Sequence, residues 1–169
     1  MTATGPGSKV LRLADVAAEK LASMLAGFGL QLTIAAAKTA VPGSYWGESE
    51  AGLINNRLYA RSDTPVHSIL HESCHYICMT NERRENLHTN AGGDYDEENA
   101  VCYLQILLAE QIEGMGRQRM LSDMDAWGYS FRLGSARQWF ERDAQEPRDQ
   151  LIQWGLIATD GSPRGKIRV

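Results

Sequence analysis

Apolar residues in "LADVAAEKLASMLAGFG" fall at Leu13, Val16, Ala17, Leu21, Met24 and Leu25. This three-to-four spacing predicts a first helix over 11–26, closed by Gly27 and Gly29. "LQLTIAAA" begins with strand-like alternation, and the turn-rich "AVPGSYWGESEAG" after it predicts a loop or hairpin. In "GLINNRLYARS", Leu53, Asn55, Arg57 and Tyr59 alternate with Ile54, Asn56, Leu58 and Ala60. That is the pattern of a strand with one covered and one wetter face.

Two longer patterns are helical. "SDTPVHSILHESCHYICMT" opens with Asp63 and Thr64, both suited to capping, and has Pro65 where a first-turn proline is tolerated. "DYDEENAVCYLQILLAEQIEG" carries acids in its first turn, where they favour the helix dipole, and stops at Gly114. Residues 80–93 between them are polar and close on two glycines, which predicts a loop or a frayed helical extension. Further on, Trp127, Trp139 and Trp154 sit in shorter helical pieces, Pro147 starts a new one, and a polar tail covers about 158–169. The expected fold is α+β: one domain over 1–169, with a short mixed or antiparallel sheet packed on the two main helices.

A chain of 169 residues is long enough for one domain with a real core. No run approaches the roughly 18 apolar residues of a membrane span. The start "MTATGPGSKV" lacks the basic-then-apolar order of a secretory signal, so the expected location is cytoplasmic. A net charge of −4, with only "RGKIRV" as a basic cluster, gives no footprint for nucleic acid. Cys74, Cys78 and Cys102 are odd in number and form no CxxC pair, which argues against a disulfide framework and fits core thiols in a reducing compartment.

The candidate chemistry lies in "HSILHESCHYICM". On a helix, His71 and His75 differ by about 40° and one turn, so both imidazoles can converge on one cation. Glu72 flanks that cation without having to ligate it, the place for a general base; the arrangement is HExxH. Its neighbours Ile69, Leu70, Ser73, Cys74, Tyr76 and Ile77 are uncharged. The helix is therefore built for burial, and two buried histidines and a carboxylate need a metal or a dense hydrogen-bond network. A catalytic zinc site takes three protein ligands. Glu97 shares a helix line with Ala100, Val101, Leu104 and Leu108, the apolar stripe, and is expected as third ligand; Glu98, in line with Cys102, Gln105 and Ala109, is the alternative. His67 precedes His71 by a full turn and is expected to be a capping or pocket-edge residue. Cys78 falls on the metal side, where a packed thiol is the more common outcome than ligation. His88 and Tyr95 are secondary candidates for stabilising an oxyanion.

HESCH followed 21 residues later by "EENA" at a helix start resembles the gluzincin branch of zinc metallopeptidases, in particular the compact minigluzincins and the ImmA/IrrE-type domains. The resemblance covers about 52–108. It implies a zincin-like fold with Zn2+ on His71, His75 and Glu97, and peptide hydrolysis by a metal-activated water with Glu72 as base. It also implies a peptide or protein substrate lying along the strand at 53–60. Many relatives carry an aspartate four residues after the ligand glutamate to orient a histidine; here Val101 stands there, so support must come from another group. That departure motivates an alternative: an inactive or latent zincin-like domain kept for metal binding, regulation or interaction.

Overall fold

A computed structural model describes residues 10–44 and 49–169. The turn-rich reading at 45–48 and the reading of 1–9 lie outside the described residues. Among those described, seven α-helices and a three-stranded mixed sheet form an α+β fold. No helix is long and apolar enough to cross a membrane.

The helix expected over 11–26 is shorter. α1 spans Ala18–Ala26, and Leu13–Asp15 forms only a 3-10 turn. Tertiary hydrogen bonds override the helical spacing before it: Leu13 N donates to Thr64 O, Ala14 N to Ser62 O and Val66 N to Leu11 O. Leu13, Leu21 and Leu25 are buried, so the apolar stripe still faces the core.

β1 (Gln31–Ile34) runs parallel to β3 (Arg57–Ala60), and β2 (Gly52–Ile54) runs antiparallel to β3, giving the order β1-β3-β2. The single strand expected over 53–60 is thus a hairpin. Its turn lies at Asn55, whose φ of 52° is one asparagine tolerates better than most residues. Alternation continues across the turn, which hides it in the pattern. Leu53, Leu58 and Ala60 are fully buried beneath the helices.

α2 (Val66–Cys78) starts directly after Pro65 without a side-chain cap. Thr64 Oγ1 instead accepts from Arg61 N at 2.8 Å, and Asp63 pairs with Arg61. α3 (Asn81–Glu85) is the realised part of the frayed extension. α4 (Tyr95–Leu108) is capped by Asp94, whose Oδ1 accepts from Glu97 N at 2.9 Å. α2 and α4 pack on each other, and residues 100–109 are buried without interruption, so α4 has no single inward stripe. α5 (Gly116–Trp127), α6 (Ala136–Arg142) and α7 (Gln145–Gln153) complete the helical layer.

Two arginines close the end of α2. Arg84 donates to Tyr76 O and Met79 O. From the polar tail, Arg168 N donates to Ile77 O at 2.9 Å and its guanidinium to Cys78 O at 3.2 Å. Four carbonyls at this end are thereby satisfied, three of them by guanidinium groups whose positive charge complements the helix dipole. The Arg168 guanidinium also lies 4.1 Å from the centre of the Trp154 ring.

Candidate metal centre

His71 and His75 sit on successive turns of α2 with ring centroids 4.8 Å apart. Both Nε2 atoms face one carboxylate: His71 Nε2 is 2.8 Å from Glu98 Oε1 and His75 Nε2 is 3.0 Å from Glu98 Oε2. The donor atoms of the three residues lie within 4.8 Å of one another. A tetrahedral ion with bonds of about 2.0–2.1 Å holds its ligands roughly 3.3 Å apart, and two imidazoles with one carboxylate are a zinc-type donor set. Chemistry and spacing both fit a divalent ion.

Gln105 fixes how His71 presents itself. The Gln105 amide nitrogen donates to His67 O at 2.9 Å, and a backbone carbonyl only accepts, so the amide oxygen is the atom 2.9 Å from His71 Nδ1. Nδ1 therefore carries a proton and donates it. Nε2 is then left facing a carboxylate oxygen, which demands a cation between them, either a second proton or a metal. Burial disfavours charge on His71, yet its surroundings, including the Glu98 carboxylate, hold its pKa well above the ordinary imidazole value. Burial pushes Glu98 the other way, but the two histidines hold it below the usual carboxylate range. The buried Nδ1 of His75 has no hydrogen-bond partner.

Glu97, expected as third ligand, is elsewhere. It is buried and paired with Arg83, whose guanidinium nitrogens lie 2.5 Å and 3.0 Å from its two oxygens. Arg83 also donates to Ala91 O at 2.5 Å. This clamp fixes residues 89–93, the wall facing the histidines across a cleft of about 400 Å³. A Cβ on Gly93 would come within 2.6 Å of Glu97 Oε1, and its φ of 97° disfavours side chains as well, so glycine is required there. The apolar stripe misleads because α4 is buried on every side from Ala100 onward. Its less apolar line, Glu98, Cys102 and Gln105, is the one turned to α2, where Glu98 and Gln105 meet the imidazoles of His71 and His75.

Glu72 lines this cleft with His71, His75 and Glu98, and burial raises its pKa against the pull of both histidines. A second cleft of about 240 Å³ shares His71, Glu72 and Glu98 and adds Glu50, His67 and Tyr129. His67 thus stands at a pocket edge, as expected. Cys74, Cys78 and Cys102 are buried free thiols, and none joins the cluster; burial raises the pKa of Cys74 and Cys78. His88 is exposed and hydrogen-bonded to Thr89, and Tyr95 is exposed; neither lines either cleft. The residues that sequence reasoning passed over are Gln105, Tyr129 and Arg83. A polar residue inside the apolar half of α4 was the available signal for Gln105.

The strand expected to receive a peptide has no open edge there. β3 is central, and β2 is already covered outside: Leu53 N donates to Gly43 O, Thr89 N to Leu53 O and Asn55 N to Leu87 O. A Cβ on Gly52 would lie 1.9 Å from Pro42 O, so only glycine permits this approach.

No protein-family model, curated protein or solved structure matches this chain.

Proposed function

We propose that the chain is a zinc-dependent peptidase of the HExxH kind, with a zincin-like arrangement in which His71, His75 and Glu98 hold the metal. The observation that carries this reading is the hydrogen bond from His71 Nδ1 to Gln105 Oε1, which leaves Nε2 facing the Glu98 carboxylate, where a cation, a metal ion or a second proton, must stand between them. Zinc in that place would supply Lewis-acid chemistry, acidifying a water and polarising a peptide carbonyl. Glu72 lines both clefts beside the ligands, where its carboxylate would take the water's proton and pass it to the leaving nitrogen. Desolvation strengthens it as a base. The 89–93 wall, held by Arg83 and Glu97, would exclude water from one side of the cleft.

Metal content and cleavage test this separately. Zinc measured on the purified protein is expected at one equivalent for wild type and for Glu72→Gln, and at background for His71→Ala. Cleavage of a mixed peptide library is expected for wild type alone. Equal metal content in wild type and His71→Ala would remove the metal centre, and cleavage by Glu72→Gln would remove the base.

A second reading is favoured by the covered edge of β2: a zincin-like domain that holds zinc without cutting peptides, or does so only after residues 43–44 or 87–89 move. Stoichiometric zinc with no cleavage of any library peptide is its signature.

A further inference from the structure

The second cleft differs from the first in its walls. Its aromatic groups meet tilted or edge to face: Trp127 lies 4.9 Å from His67, and Tyr129 lies 5.4 Å from His67 and 5.7 Å from His71, centre to centre. Glu50 lines this cleft and not the other, and its Oε1 accepts the Trp127 indole N–H at 2.9 Å. Among the described residues that line it there is no lysine or arginine. At about 240 Å³ the space is below the usual range for a whole small ligand and suits one side chain.

The wall also holds an unused polar atom. One Gln105 amide proton is committed to His67 O, and the other faces Tyr129 Oη at 3.4 Å. Tyr129 then directs its own proton to His67 Nδ1, 3.1 Å away, which leaves His67 Nε2 protonated, buried and without an acceptor. A backbone carbonyl of a bound peptide is an acceptor of the required kind.

We infer that this second cleft is a side-chain subsite selecting a lysine or arginine next to the metal centre, an inference that rests on the peptidase reading. The aliphatic stem lies against Trp127 and Tyr129, and the cation meets Glu50 over aromatic faces that favour it. Acidic side chains are disfavoured beside the Glu50 carboxylate.

Binding of paired peptides tests the subsite without requiring turnover. A lysine is walked through an otherwise uncharged peptide, with norleucine at the same position as the control, and titrated calorimetrically into zinc-loaded Glu72→Gln protein. At one position lysine is expected to bind about fivefold or more tighter than norleucine. Adding Glu50→Gln, which keeps an acceptor for Trp127, is expected to erase the difference. Equal affinities at every position, no measurable binding, or a lysine preference that survives Glu50→Gln would each overturn the subsite. Failure of the peptidase reading shows differently: the same peptides remain uncut by protein with Glu72 intact, while the lysine preference in binding persists.

Discussion

Gln105 reaches from α4 to α2 and places its amide oxygen 2.9 Å from His71 Nδ1, from a position with no solvent exposure. Its amide nitrogen is anchored on His67 O, so the side chain cannot turn over without losing a buried hydrogen bond. A neutral amide here orients the imidazole where a carboxylate is the alternative, and in the proposed metal centre it would leave His71 a less basic ligand than a carboxylate partner would. Gln105→Leu is expected to weaken zinc binding by about 10–100-fold while the fold survives. Competition against a chromophoric chelator measures this; unchanged affinity would mean that His71 is oriented by packing alone.

The two adjacent glutamates are expected to separate cleanly. Glu98→Ala should lower bound zinc to background with little loss of stability, since this side chain is half-exposed. Glu97→Ala should retain zinc but destabilise the protein by about 2 kcal/mol, because it strands Arg83 and loosens Ala91. Metal content and urea denaturation of the two variants distinguish the roles. Zinc loss confined to Glu97→Ala would reverse the assignment.

Removing residues 167–169 takes away two of the groups that close α2 and the cation over Trp154. A loss of about 1–3 kcal/mol is expected, with faster amide exchange concentrated at the end of α2. Exchange that rises evenly across all helices would count against a specific capping role.

His67 is buried and neutral, with its pKa pushed down to about 3, chiefly by burial and further by the charges on His71 and Arg12. In the unfolded chain it titrates near 6.5. Its neutral form is therefore compatible with folding above that pH, and stability falls as the pH drops from 6.5 toward 3, where the unfolded state binds the proton more readily. Between pH 7 and pH 5 the expected loss from this group is about 2 kcal/mol. His67→Phe should flatten that part of the stability-pH curve in chemical denaturation. Parallel curves for the two proteins would show that burial of His67 is relieved by water or motion.

The sequence by itself determined the two long helices and the pairing of His71 with His75, because uninterrupted apolar spacing and an i, i+4 relation are local properties of a helix. It also singled out Glu72 beside them. Other elements were out of its reach for physical reasons. The hairpin at Asn55 keeps its alternation through the turn, so register alone cannot reveal it. The start of α1 yielded to hydrogen bonds from the distant segment at 62–66, whose energy outweighs a weak local preference. The choice between Glu97 and Glu98 turns on about 100° of rotation around one axis. On a helix buried on every side from Ala100 onward, apolarity does not say which line faces a neighbour. Only the tertiary structure decided it, by bringing Arg83 to one carboxylate and two imidazoles to the other.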